Sequence, residues 1–171
     1  MFGTNTLGAG QSPRNLPALL GLVALPLAVG GLSAFLTSDA MAQFGRLEQP
    51  PLSPPAWLFP VAWTILYVLM GIASYRLFSF VPADEGQRTI RTVALVLYLL
   101  QLAINFSWSL VFFGANAYWV AFGLLLVMWA LIIAVMALAS RIDRTATYLL
   151  VPYVAWTTFA AYLNLMIGIL N

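Results

Sequence analysis

The sequence predicts an all-α, polytopic membrane protein built as a bundle of five transmembrane helices. Three observations carry that reading. Hydrophobic residues make up 63% of the 171-residue chain and charged residues 7%; soluble domains average about 25% charged residues, so this chain cannot coat a globule in water. Five long apolar stretches, about 16–37, 56–80, 90–112, 117–139 and 146–170, each reach the roughly 20 residues that a bilayer crossing needs. These runs are continuous rather than alternating, which argues against a β-barrel. The connectors leave no room for a separate soluble domain.

The missing residue types narrow the chemistry. The chain has no His, no Cys and no Lys. Ordinary zinc or iron–sulfur sites, disulfides, thiol nucleophiles, Schiff bases and Ser-His-Asp triads therefore fall away. A net charge of +2 without clustered basic residues argues against nucleic acid as a partner.

In chain order, residues 1–15 are rich in Gly, Ser, Thr and Asn and read as a disordered arm ahead of a transmembrane domain at 16–171. Arg14 and an Ala40-Met41-Ala42 string around the first span resemble a signal peptide. However, Leu16–Leu36 exceeds the usual apolar core of about 7–15 residues, so the span reads as a retained helix. The first connector, 38–55, ends in Gln49-Pro50-Pro51-Leu52-Ser53-Pro54-Pro55. Its prolines predict a stiff, extended strap, which serves either as a lid or as a spacer. Residues 81–91 and 140–145 read as short polar connectors, and Gly114-Ala115-Asn116 as a tight turn. Arg14, Arg76, Arg88, Arg91, Arg141 and Arg144 fall on one side of this five-span topology and Arg46 alone on the other. That bias predicts a cytoplasmic N-terminus.

Within the spans, Gln101, Asn105 and Ser109 form an i, i+4, i+8 stripe, with Trp108 and Phe112 beside it. Carboxamides at that depth must face protein, water or a ligand; interhelical hydrogen bonding and a pocket are both open readings. Val61-Ala62-Trp63-Thr64 recurs as Val154-Ala155-Trp156-Thr157, each shortly after a proline that loosens its helix. Trp63, Tyr67 and Met70 share one helical face, and Trp156, Ala160 and Leu163 or Asn164 another. An indole beside the small Ala160 makes a flat slot. Trp57 and Trp119 suit the interfacial belt, whereas Trp63, Trp108, Trp129 and Trp156 lie deeper.

The strings from Pro54-Pro55-Ala56-Trp57 to Tyr67, from Asn105-Phe106-Ser107-Trp108 to Gly114, and from Pro152-Tyr153-Val154-Ala155-Trp156 to Asn164 resemble the translocator protein family, also called the tryptophan-rich sensory protein (TspO/MBR) or peripheral benzodiazepine receptor family. The likeness runs from about residue 16 to 170, in order. It implies a five-helix bundle, commonly a homodimer, with a ligand pocket closed by the first connector. It also implies porphyrin or haem as ligand rather than an obligatory cofactor, with sterols bound in animal members. Carried over by motif, the pocket residues are Phe44 and Pro54 in the lid, Phe59, Trp63 and Tyr67 in span two, Asn105, Trp108 and Ser109 in span three, and Trp156, Ala160 and Leu163 in span five.

The lid departs from the family pattern. Gln43-Phe44 stands where members carry Trp-Tyr, and Leu52 where a Trp precedes the proline pair. The basic residue of the animal sterol motif is missing after Tyr162. The resemblance therefore implies a membrane binding or sensory protein for tetrapyrroles or similar flat apolar molecules, handling porphyrins or regulating stress. Facilitated transport of tetrapyrroles or sterols and light-dependent porphyrin breakdown are the alternatives. Asp39, Glu48, Asp84, Glu85 and Asp143 all fall in connectors, which weighs against ion-coupled transport. Expected partners are the hydrophobic ligand, membrane lipid and a second copy of the chain. The small pairs Gly30/Ala34, Ala103/Ser107, Ala117/Ala121 and Ala130/Ala134 are candidate contact faces, span three foremost.

Overall fold

The computed structural model describes residues 10–11, 15–38 and 45–171. Five helices long and apolar enough to cross a membrane fill it: α1 (Leu16–Leu36), α2 (Leu58–Phe78), α3 (Glu85–Ser109, continued by a π-helical turn at Leu110–Gly114), α4 (Tyr118–Ala139) and α5 (Arg144–Leu170). The chain is an integral, multi-pass membrane protein. Its outward faces carry side chains such as Phe35, Val96, Val127 and Ile169, all exposed; hydrocarbon is their solvent, so exposure costs nothing there. Neighbouring helices run α1–α2–α5–α4–α3 around the bundle, and α3 closes the ring on α1.

Three helices pack along seams spaced four and three residues apart. On α3 the seam consists of Ala94, Tyr98, Gln101, Asn105, Trp108 and Phe112, with Leu102 buried beside it. On α4 they are Ala121, Leu125, Met128, Ile132, Val135 and Ala139. On α5 they include Ala146, Leu150, Tyr153, Thr157, Ala160, Asn164 and Ile167. A repeat near 3.5 residues keeps one stripe facing its neighbour, as in a coiled coil.

The α1–α2 pair is held differently. A Cβ on Gly71 would lie 2.5 Å from the Val23 Cα and 2.8 Å from the Leu22 carbonyl oxygen, so only glycine lets the two backbones meet. Pro26, buried in α1, has no N–H to offer the Leu22 carbonyl. The same carbonyl is the one that Gly71 faces.

Helix starts explain two differences from the expected connectors. Asp84 accepts from Gln87 N at 2.8 Å, and the Gln87 carboxamide accepts from Ala83 N at 3.0 Å. This capping pair starts α3 at Glu85, inside the 81–91 stretch expected to be a connector. Asp143 caps α5 through Ala146 N at 3.0 Å, so α5 opens at Arg144. Gly10–Gln11 (β1), inside the arm expected to be disordered, pairs antiparallel with Phe80–Val81 (β2). Asn15 caps α1 and donates its own N–H to the Tyr75 hydroxyl at 3.0 Å. Between α3 and α4 the expected tight turn is present, with Asn116 at φ 52°, a left-handed position that asparagine tolerates.

Asp143 does more than cap. Its carboxylate takes Arg76 Nη2 at 2.9 Å and Nε at 3.2 Å, with its own side chain 5% exposed. The pair ties the end of α2 to the α4–α5 turn. Asp143→Ala removes the cap and leaves Arg76 without this carboxylate, so it should cost about 1–3 kcal/mol. Asp143→Asn, which keeps an acceptor for Ala146, should recover part of that. Unfolding in mild detergent measures both; an unchanged midpoint in Asp143→Ala would show that the pair contributes nothing.

Candidate functional site

Four helices enclose a cavity of about 300 Å³ towards the end where α2 begins and α5 finishes. From α1 and its cap come Gly30, Ser33, Ala34 and Thr37; from α2, Phe59, Pro60, Trp63 and Tyr67. From α3 and its π-turn come Asn105, Trp108, Ser109 and Phe113; from α5, Trp156, Phe159, Ala160 and Leu163. Its volume is at the lower end for small-molecule sites. Among the described residues, no charged side chain lines it.

Below the cavity lies a chain of buried hydrogen bonds. The Tyr67 hydroxyl donates to Asn105 Oδ1 at 2.9 Å. Asn105 Nδ2 donates to the Tyr153 hydroxyl at 3.1 Å, which donates in turn to Gln101 Oε1 at 2.8 Å. Three helices, α2, α3 and α5, are thereby joined through four side chains. A second link crosses the other wall. Trp108 Nε1 donates to Asn164 Oδ1 at 3.1 Å, and Asn164 Nδ2 donates to the Tyr118 carbonyl at 2.8 Å. Each polar group would be costly to leave unpaired at this depth.

The aromatic rings form two walls. Trp63 stacks on Tyr67 with centroids 5.5 Å apart, and lies 6.0 Å from Trp108 and 6.2 Å from Tyr153. Trp156 meets Phe59 edge-on at 6.1 Å and Phe159 at 5.9 Å. Ala160, 8% exposed, is the small residue one turn from Trp156. Trp156 Nε1 is buried and has no hydrogen-bond partner among the described residues. The site can therefore hold a flat apolar body between rings.

The repeated Val-Ala-Trp-Thr segments place both indoles on the cavity, and both threonines bond back along their helices. Thr64 Oγ1 donates to the Pro60 carbonyl at 2.7 Å, and Thr157 Oγ1 to the Tyr153 carbonyl at 2.9 Å. The two prolines are not equivalent. Pro152 interrupts α5, whereas Pro60 falls in the first turn of α2, where no intrahelical donor is lost.

Of the residues singled out by sequence, Phe59, Trp63, Tyr67, Asn105, Trp108, Ser109, Trp156, Ala160 and Leu163 all line the cavity. Phe44 lies outside the described residues. Pro54 is half-buried on the strap and does not line the cavity. The strap is fixed instead against α5. The Tyr162 hydroxyl donates to the Pro51 carbonyl at 2.9 Å, and Glu48 N donates to Asn171 Oδ1 at 3.0 Å. Leu52 takes φ 69° in the turn that Ser53 N closes on the Pro50 carbonyl at 3.2 Å.

Gln101 departs from its stripe-mates. Steps of four residues drift about 40° each on a helix, so Gln101 and Ser109 point about 80° apart. Ser109 reaches the cavity, while Gln101 turns to Tyr153. The α1 lining was missed as a lining, although Gly30, Ser33, Ala34 and Thr37 stand at i, i+3, i+4 and i+7. Phe113 reaches the cavity from the π-turn, where Ala115 N bonds the Leu110 carbonyl five residues back at 3.0 Å. No regular helical period signals that register shift.

Gly30 is set against the Tyr67 ring, and a Cβ there would overlap Tyr67 Cε2. Gly30→Ala should push that ring off its stacking partner and off Asn105, weakening ligand binding while leaving helix content unchanged. Circular dichroism and a binding titration test this; wild-type affinity in the variant would mean that the ring has room to yield.

The TspO/MBR family profile matches residues 22–170. The chain is 36% identical to the Tryptophan-rich protein TspO of Chlorobaculum tepidum over 150 residues, covering 87% of this chain and 92% of the relative. It is 39% identical to the Tryptophan-rich sensory protein of Cereibacter sphaeroides over 121 residues, 71% of this chain and 72% of that one. Against the Translocator protein of Ovis aries it is 33% identical over 155 residues, 90% of this chain and 89% of that one.

Proposed function

The chain belongs to the TspO/MBR family, and from that membership and its ring-walled cavity we propose that it binds tetrapyrroles, or flat apolar molecules like them, within the membrane and serves porphyrin handling or sensing. The observation that carries this is the slot itself. Trp63 and Trp108 stand on one wall and Trp156 with Phe59 and Phe159 on another, with Ala160 leaving space beside the indole. Ring faces suit a flat conjugated disk, and an uncharged lining suits its apolar body. The acidic side chains of a porphyrin would then extend from the mouth rather than into the walls.

Glu48, Asp84, Glu85 and Asp143 sit in connectors or at helix starts, which supports binding over ion-coupled translocation. The same reading includes a cytoplasmic N-terminus and a homodimer. Ala103 and Ser107 are exposed on α3 and available for contact with a second copy. Gly30 is already engaged with Tyr67 inside the bundle.

Titration of the purified protein with protoporphyrin IX, followed by tryptophan fluorescence, tests the proposal. Saturable quenching is expected. Trp63→Leu and Trp156→Leu should each weaken binding about 2- to 10-fold, the range that ~0.5–1.5 kcal/mol per aromatic contact implies. Ala160→Thr should lose affinity with its helix content intact, by up to ~1–3 kcal/mol from overpacking. Equal affinities in all three folded variants would place the ligand elsewhere.

A further inference from the structure

A second concavity, of about 470 Å³, lies on the outer surface of the α2–α5 seam. Ala62, Ile65 and Leu66 of α2 and Pro152 and Ala155 of α5 line it, together with Trp156 and Phe159. The last two residues also line the interior cavity. Two aromatic side chains thus separate the buried slot from a groove that opens towards hydrocarbon. We propose that this seam is a lateral portal, through which a flat apolar amphiphile dissolved in the bilayer passes to the interior cavity, with the Trp156 indole as its gate. The proposal rests on the binding function inferred for that cavity.

Three features make the wall movable here. Trp108 and Trp129 are pinned through their ring nitrogens, to Asn164 at 3.1 Å and Thr158 at 2.9 Å. Trp156 Nε1 has no partner among the described residues, so the ring can swing without breaking a hydrogen bond, and Phe159 has none to break. Pro152 stands one turn before Trp156 and withholds a donor from the Tyr148 carbonyl, which softens α5 at the height of the gate. Ala62 and Ala155 keep the seam thin, and Ala155 is exposed. Once the ring swings out, its buried N–H, which bonds nothing among the described residues, becomes a donor for a passing carbonyl or carboxyl group where lipid supplies none. The other way in, past the strap at the end of the bundle, is held by Tyr162 of α5 and its cap Asn171, which makes the seam the less restrained path.

The test is kinetic. Protein reconstituted in lipid vesicles is mixed with vesicles carrying protoporphyrin IX, and tryptophan quenching is followed in time. Ala155→Phe fills the groove from α5 and Ala62→Phe fills it from α2, so a folding defect in one leaves the other to decide. Ala137→Phe makes the same Ala-to-Phe change on the exposed face of α4 and serves as the control. Both seam variants should slow association and dissociation at least fivefold and leave the equilibrium affinity within about twofold, while the control keeps wild-type rates. Unchanged rates in folded seam variants overturn the portal, as does a tenfold loss of affinity at an unchanged association rate, which would make the groove part of the binding site. Wild-type protein without saturable quenching overturns the binding function itself, and the portal with it.

Discussion

The bundle depends on a run of four buried side chains, Tyr67, Asn105, Tyr153 and Gln101, that satisfy one another where no water can. Apolar contact alone does little to hold helices together in lipid, because the tails are as apolar as leucine. Shape and hydrogen bonds must do it. Here Asn105 uses its oxygen towards α2 and its nitrogen towards α5, so one carboxamide on α3 fixes the positions of both neighbours. Tyr153 extends the chain to Gln101 on the next turn of α3, and its oxygen also lies 3.4 Å from Met128 Sδ on α4.

The cavity follows from that arrangement. Below Asn105 the helices close on the 3.5-residue seams of α3, α4 and α5. Above it, the π-turn of α3 and the small residues of α1 and α5 hold the walls apart. Polar and ring contacts together sort the tryptophans. Trp108 is locked by Asn164, and Trp63 is held between Tyr67, Trp108 and Tyr153. Among the described residues, Trp156, on the thin seam beside Pro152, has only the rings of Phe59 and Phe159 against its own. One wall of the slot is therefore rigid and the other able to move, and that asymmetry is what a site fed from the bilayer requires.

Much of this was legible in the sequence, for identifiable reasons. The five spans follow from long apolar runs with almost no charge, and the paired indoles from a repeated tetrapeptide at matching depth. The Gln101/Asn105/Ser109 stripe offered hydrogen bonding and a pocket as alternatives; both occur, divided along the helix by its 100° turn per residue. The starts of α3 and α5 were harder, because Asp84 and Asp143 extend their helices into charged connectors. The contribution of α1 was hidden because Gly30 and Ala34 looked like a contact face for another chain. Phe113 required the π-turn, a register change that leaves no periodic trace. The strap was expected to be extended, but it turns at Leu52, and its attachment to Tyr162 and Asn171 joins residues more than a hundred positions apart.

Asn105 couples α2 to α5 through the two ends of its carboxamide. A double-mutant cycle on Tyr67→Phe and Tyr153→Phe, each deleting one hydroxyl that meets a different atom of the same carboxamide, tests it most directly, with unfolding free energy read from denaturation in mild detergent. Each single change should destabilise the bundle, and the pair should be non-additive by about 0.6 kcal/mol, the average coupling for hydrogen bonds between membrane helices, and by no more than about 1.7 kcal/mol. Strict additivity, with neither single variant losing measurable stability, would contradict the account and leave the bundle to packing alone.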